Sequence, residues 1–369
     1  MSPNPVRPVN PFRVGEIVTG DAYCARPDAE RALASLLRSK QRVLLQDERR
    51  TGKTSLTCEV ARKHFGNRIV RIALSPSSES LEIVNALLTG WGNFVRFTSK
   101  NWMDRLVRQG LNFSVDLKIL KVTANPARPT DGISKFFSLV DDEKKKPILF
   151  FDEFQFAAEM PEKESTKFFW ALRDALQLRA DVPVVFAGSD RNRLADIFFH
   201  ARNPFYNTVH VLDLPPVDLG RMKAFVSERF TRGGLSLSDE GWTAIVEFTR
   251  GVPGYIQELC LAVWEVAGGR KIDAAAVEDG VSRVLRQFDN FRELVNLTPL
   301  QLRFGHGVAA LEPESVTNAA FLEFTQIKSS SSALRPRKLF EEDLNVIEKR
   351  DGQYRFYNPF MREWFRRQL

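Results

Sequence analysis

The sequence predicts an α/β protein: an open, largely parallel sheet with helices on both faces, followed by a helical region and a small C-terminal domain. Three observations carry this expectation. Up to about residue 215, short apolar runs of buried-strand length alternate with stretches of helical periodicity. After Pro216 the apolar residues recur mainly at helical spacing. The composition is globular, with 369 residues of which 43% are hydrophobic and 27% charged. That excludes a wholly disordered or fibrous chain and leaves room for two or three domains.

The elements follow in order. Residues 1–20 are Pro-rich and irregular, an arm expected to lie on the first domain. Arg26–Leu37 places Ala29, Leu33, Leu36 and Leu37 on one helical face, with Asp28 as an early-turn acid. Arg42–Gln46 is a buried strand that runs through a short loop into a helix over Thr54–His64. Arg68–Leu74 suits a second strand, and residues 80–110 are helical, with Leu81, Val84, Leu87 and Leu88 at helix spacing. Residues 111–123 alternate apolar with polar and predict a hairpin, and Asn125–Thr130, with two prolines, predicts a loop. Pro147–Glu153 is a fully buried strand, a helix runs through Phe168, Phe169, Leu172 and Leu176, and Val182–Ser189 is another buried strand. Val209–Val217 is a last short strand entering a Pro-Pro turn. Helices are then expected over 218–230, 238–249, 254–267 and 273–288. The final 80 residues hold helical stretches, a serine run at Ser329–Ser332 marking a turn or helix start, and a strand-like YRFY before a terminal helix.

Charge and residue counts narrow the function classes. The net charge is +7, with a pI near 9.3, which permits an anionic partner without demonstrating one. Cys24, Cys58 and Cys260 are too scattered for a disulfide framework or a spaced zinc site. His64, His200, His210 and His306 lack ligand spacing and support neither a metal site nor a Ser/His/Asp triad. No apolar run approaches the roughly 18–20 residues of a membrane span, and the first residues carry prolines and charges where a signal peptide needs an apolar stretch. A cytoplasmic protein without membrane contact is expected.

The strongest chemical signal is Asp47–Thr54, DERRTGKT, followed by Ser55, directly between a strand and a helix. A phosphate-cradling loop needs converging backbone N–H groups, a lysine for the β- and γ-oxygens and a hydroxyl for Mg²⁺. Gly52, Lys53 and Thr54 supply the last three positions, with Arg49, Arg50, Thr51 and Ser55 completing the cup. Asp47 stands where the pattern GxxxxGK[ST] has glycine; Asp tolerates a left-handed backbone, so the turn is expected to survive, with a carboxylate near the phosphates. The second signal is ILFFDE: Asp152 to hold Mg²⁺ through water, and Glu153 to polarise an attacking water. The alternative is two acids capping the next helix. The third is the polar tip of VVFAGS, where Ser189 would lie beside a γ-phosphate, or simply end a strand. Arg191, Arg193 and Arg202 are candidates for an arginine finger. Gly251–Cys260, GVPGYIQELC, ends one helix and begins another, and can bring the helix start at Pro253 toward a nucleotide or merely connect helices.

NPFRVGE, Tyr23–Arg26 with Glu30, RRTGKTSL, ILFFDEFQ, VVFAGS and GVPGYIQ occur in that order. Together they resemble the archaeal-type P-loop ATPases of the STAND/AAA+ grouping, whose layout is similar to that of origin-recognition initiator ATPases. The resemblance covers most of the chain. It implies a P-loop core with its N-terminal arm over 1–216, a helical lid over 217–290 and a winged helix over 291–369. It also implies ATP and Mg²⁺ as ligands, Asp152 and Glu153 as the Walker B pair, and Gln155 as the glutamine that follows them. LTPLQLRF would be the first helix of the winged domain, SSSSALRPRKLFEEDLNVIEK its middle helices and GQYRFYNPF its wing.

The expected function is a Mg²⁺-ATP-dependent ATPase acting as a nucleotide-controlled switch that recruits a protein partner, with a nucleotide-dependent homo-oligomer as a candidate assembly. The alternative is an ATP-regulated DNA-binding factor in replication, transposition or repair. Arg335, Arg337 and Lys338 favour DNA, whereas Glu341, Glu342 and Asp343 on the same stretch would repel phosphates. A third reading, a module that binds nucleotide and scarcely turns over, rests on Asp47.

Overall fold

The computed structural model describes residues 9–76, 79–116, 119–123, 129–267, 271–288 and 295–368. It divides into two units: Ile17–Pro216, and Met1–Glu16 together with Val217–Leu369.

The first unit is built on a five-stranded parallel sheet of order β2-β5-β6-β1-β7. The strands are β1 (Arg42–Gln46), β2 (Ile69–Ala73), β5 (Ile148–Asp152), β6 (Val184–Gly188) and β7 (His210–Val211). Every residue of β5 and β6 is buried, as strands covered on both faces require. Successive side chains alternate between two cores. Leu44, Leu149, Phe151, Val184 and Phe186 join one, while Val43, Leu45, Ile148, Phe150 and Val185 join the other.

The helices of this unit are α1 (Pro27–Arg38), α2 (Lys53–His64), α3 (Ser80–Thr98), α4 (Trp102–Arg108), α5 (Pro129–Asp141), α6 (Glu162–Gln177) and α7 (Arg191–Phe198). Pro27 at the first position and Asp28 and Glu30 in the first turn suit the start of α1. The single helix expected over 80–110 is two helices, because the chain turns extended at Ser99 (φ −128°, ψ 127°) before α4 begins. The hairpin over 111–123 is present as β3 (Asn112–Asp116) and antiparallel β4 (Ile119–Thr123). Of the expected Pro-rich loop, residues 125–128 lie outside the described residues, and Pro129 already opens α5. The strand expected over Val209–Val217 pairs only at His210–Val211; prolines 215 and 216 lack the N–H that a ladder needs.

In the second unit α8 (Leu219–Arg232), α9 (Asp239–Thr249), α10 (Pro253–Val266) and α11 (Ala274–Leu285) come first. After them come α12 (Pro299–Leu311), α13 (Ala319–Thr325), α14 (Ser330–Lys338), a hairpin of β8 (Ile347–Arg350) and β9 (Gln353–Phe356), and α15 (Pro359–Arg366). Thr298 starts α12 with a full capping box to Gln301, and Ser329 caps α14, so the serine run is a helix start. Phe304, Phe340, Phe356 and Phe365 form the apolar centre of the last helices and hairpin.

The N-terminal arm corrects the expectation only up to Glu16. From Ile17 the chain belongs to the first unit, where the Val18 and Gly20 N–H groups donate to Ser55 and Glu59 of α2. Phe12 is 2% exposed, its ring lies 4.9 Å from Phe230 and 6.3 Å from Trp264, and Asn10 donates to the Leu261 carbonyl at 3.1 Å. Burial of this ring against two aromatic rings ties residues 9–12 to the helices after Val217. The domain boundary expected at 290/291 falls outside the described residues.

Candidate nucleotide site

The candidate site lies at the C-terminal ends of β1, β5 and β6, the end at which open α/β sheets hold ligands. The turn from β1 to α2 is set by backbone geometry. Asp47 donates its N–H to the Gly188 carbonyl at 3.4 Å, and the Thr51 hydroxyl donates to the Glu48 carbonyl at 3.0 Å. The left-handed residues are Arg50 (φ 65°) and Gly52 (φ 94°). Asp47 is not among the residues of positive φ, so the expectation that it must tolerate a left-handed backbone is corrected: this turn needs no glycine there. Gly52 precedes α2 without any side-chain cap, which leaves first-turn N–H groups and the positive end of the helix dipole for an anion.

Lys53 is 5% exposed. Its ammonium donates to the carbonyls of Asp47 and Glu48 at 2.7 and 2.6 Å. Burial pushes its pKa down, while Glu153, Asp47 and Asp152 pull it back up. Opposite it, the Thr54 hydroxyl lies 3.1 Å from each oxygen of Asp152. Glu153 follows at φ 56°, ψ 47°, a left-handed turn that swings it out of the strand direction. Its Oε2 accepts from Gln155 Nε2 at 2.6 Å and from the Ser189 hydroxyl at 3.0 Å. Lys53 and the Thr54 hydroxyl from the end of β1 therefore meet Asp152 and Glu153 from the end of β5, with Ser189 reaching Glu153 from the end of β6.

The packing beneath explains why these ends hold still. Phe151 and Phe186 stack at 5.2 Å, and Phe154, which immediately follows Glu153, packs on Phe186, Phe198 and Phe205. Gln155 is 2% exposed. A Cβ on Gly188 would come within 2.2 Å of Gln155 Oε1, so the glutamine occupies the space that a side chain at 188 would fill.

The chain is similar to a solved Walker-type ATPase of Pyrococcus abyssi, with 14% identity and a TM-score of 0.64, covering 96% of this chain and 99% of that one. It is similar as well to the ORC1 protein of Aeropyrum pernix, solved in complex with DNA, with 14% identity and a TM-score of 0.55, covering 95% of this chain and 94% of that one. No family model and no curated protein matches it. The fold is that of a P-loop ATPase.

Within this P-loop fold, Lys53, Thr54, Asp152, Glu153 and Ser189 come together in the first unit, and several other residues singled out in the sequence are placed otherwise. Ser55 turns its hydroxyl to accept the Val18 N–H at 3.2 Å, so it anchors the preceding segment to α2. Pro253 opens α10 in the other unit, with Val252 as its N-cap. Asp47 accepts the Glu48 N–H at 2.8 Å and pairs with Arg191 at 3.7 Å; its carboxylate thereby engages one loop N–H and meets a positive charge. Arg193, another finger candidate, pairs with Glu159 and Asp190, and Arg202 sits in a turn after α7.

Two arginines of the site escaped the sequence reading as site residues. Arg26, 9% exposed, donates to the Thr51 carbonyl at 2.7 Å and to the Pro215 carbonyl, bracing the loop; burial lowers its pKa. Arg71 donates through Nε and Nη2 to Asp152 Oδ2 at 3.0 and 2.7 Å. The signal for Arg71 was a lone charge inside the otherwise apolar run RIVRIAL.

The residues fit a Mg²⁺-triphosphate. Among the described residues no group of three or more His, Cys, Asp or Glu could hold a metal ion. Mg²⁺ is commonly held by one or two protein groups together with phosphates and water. The Thr54 hydroxyl and the Asp152 carboxylate, 3.1 Å apart, are groups of that kind. Among the described residues no helix is long and apolar enough to cross a membrane.

Proposed function

We propose that this protein is a Mg²⁺-dependent ATPase of the AAA+ type whose nucleotide state controls the recruitment of a protein partner. The observation that carries this reading is the convergence of Lys53, the Thr54–Asp152 pair and Glu153 held by Ser189 and Gln155. Lys53, with the amides of the loop from Arg49 to Thr54, binds the phosphates. Asp152 and Thr54 hold Mg²⁺, which, when bound, neutralises phosphate charge. Glu153 orients a water and accepts its proton as the water oxygen bonds to the γ-phosphorus and the bond to the ADP oxygen breaks. Ser189 keeps that carboxylate aimed.

Residues 217–290 would act as a lid and 291–369 as a winged helix, in a chain that assembles with nucleotide. Four helices and the β8–β9 hairpin after Leu297 are compatible with that last assignment. A protein partner is favoured over DNA because Arg337 and Lys338 meet Glu341 and Glu342 along their own stretch at 3.5 and 3.9 Å, which lowers the positive field available to phosphates.

The test is phosphate release and nucleotide titration in two variants. Glu153→Gln should cut hydrolysis by about two orders of magnitude or more while ATP binding persists; Lys53→Ala should abolish binding. Hydrolysis that survives in Glu153→Gln, or binding that survives in Lys53→Ala, overturns the proposal. The second reading, an ATP-regulated DNA-binding factor, is favoured by the likeness to an ORC1 protein solved with DNA and by the net charge of +7. Duplex binding that weakens with salt and is lost in Arg335→Ala/Arg337→Ala would support it.

A further inference from the structure

Asp152 is 3% exposed, and burying an uncompensated carboxylate is costly. Its compensation comes from β2, the neighbour of β5 at the edge of the sheet. Both Arg71 donors, Nε and Nη2, converge on Asp152 Oδ2, the oxygen that lies 3.1 Å from the Thr54 hydroxyl as well. The guanidinium therefore supplies positive charge to the same carboxylate that the proposed function gives to Mg²⁺. Arg71 is less confined than its partner: its side chain is 38% exposed against 4% for Asp152. It also lines a cavity of about 280 Å³ at the β2 edge, together with Asn67, Asn93 and Phe97. The helix side of that cavity comes close at Gly90, where a Cβ would lie 2.5 Å from the Arg71 carbonyl oxygen. The backbone of Arg71 is thus closely packed, while the residue lines the cavity and its side chain is partly exposed.

We propose that Arg71 is a positioning residue that serves as the counter-ion of Asp152 in the nucleotide-free protein and competes with Mg²⁺ for that carboxylate, withdrawing toward the β2-edge cavity when Mg²⁺-ATP binds. This inference rests on the nucleotide reading above. It makes a specific claim about the cost of metal entry: part of the affinity of Asp152 for Mg²⁺ is spent on releasing the Arg71 ion pair. Neutralising Arg71 while keeping its bulk and a donor should then ease Mg²⁺ binding and weaken the empty protein, two effects of opposite sign. A purely structural ion pair would weaken empty and loaded protein alike.

The experiment uses the full chain and the variants Arg71→Gln and Arg71→Lys. A fluorescent ATP analogue is titrated at fixed concentration against MgCl₂, and thermal melting is recorded with and without Mg²⁺-ATP. In Arg71→Gln the Mg²⁺ concentration at half-saturation should fall about tenfold, the scale of one charge-assisted contact. Binding without Mg²⁺ should be unchanged, and only the empty protein should melt earlier. Arg71→Lys, which keeps the charge, should stay near the wild type. An unchanged or raised Mg²⁺ midpoint in Arg71→Gln, or equal melting losses in both states, overturns the inference while leaving the ATPase reading intact. A wild-type protein that binds no nucleotide at any Mg²⁺ concentration overturns both.

Discussion

The Ser189 hydroxyl donates to Glu153 Oε2 at 3.0 Å, joining the ends of β6 and β5 through the carboxylate proposed to activate water. Gln155 donates to the same oxygen at 2.6 Å, so two donors determine the direction of one acid. Orientation of this kind acts on the chemical step more than on ground-state binding. Ser189→Ala should slow ATP hydrolysis by about tenfold and leave the nucleotide Kd within about twofold, as read by steady-state phosphate release beside a nucleotide titration. A parallel loss of affinity would assign Ser189 to phosphate binding instead.

Gly188 is required by its neighbours and not by its backbone. A Cβ there would lie 2.2 Å from Gln155 Oε1 and 2.9 Å from Leu194 Cδ1. Gly188→Ala should destabilise the protein by about 1–3 kcal/mol through overpacking, measured by urea denaturation. It should also slow hydrolysis, because Gln155 must shift away from Glu153. A stable and fully active variant would show that Gln155 can leave its seat without consequence.

Glu59 introduces an acid limb to stability. Hydrogen bonding from Arg62 is the main cause that lowers its pKa from 4.5 to about 2; burial opposes this and the Gly20 N–H adds to it. A depressed folded-state pKa contributes stability that is fully present above the unfolded value and lost as pH falls through the folded one. The contribution is therefore complete above about pH 4.5 and disappears progressively toward pH 2. Glu59→Gln should lower stability at neutral pH and flatten its dependence between those limits, as followed by denaturant midpoints across pH. An unaltered pH profile would place the acid limb elsewhere.

Phe12 holds the N-terminal arm to the second unit through Phe230 and Trp264. Phe12→Ala removes a ring that is 2% exposed and should cost about 3–5 kcal/mol if the site cannot collapse. Denaturation of the full chain reads this directly. A loss below about 1 kcal/mol would mean that the arm peels away before the unit unfolds.

Much of the site was legible in the linear chain because its chemistry is local. Lys53 and Thr54 are adjacent, their loop joins a strand to a helix within a few residues, and Asp152 and Glu153 end an apolar run. Alternation of apolar runs with helical periods was likewise enough to read a parallel sheet, since strands buried on both faces need apolar side chains in succession. Short-range failures have local causes too: prolines 215 and 216 shorten β7, and Ser99 interrupts the run of helix after residue 80.

What the amino-acid order determined by itself is therefore the set of candidate phosphate- and metal-binding groups and the strands that end in them. Only the tertiary structure decided their partners: Arg71 on Asp152, Arg26 on Thr51, Ser189 and Gln155 on Glu153, and Phe12 between Phe230 and Trp264. The reason is physical. A motif specifies a ligand through neighbouring atoms along the backbone, whereas a buried charge or ring is satisfied by whichever group the packing brings within a few ångströms, and sequence separation says nothing about that distance.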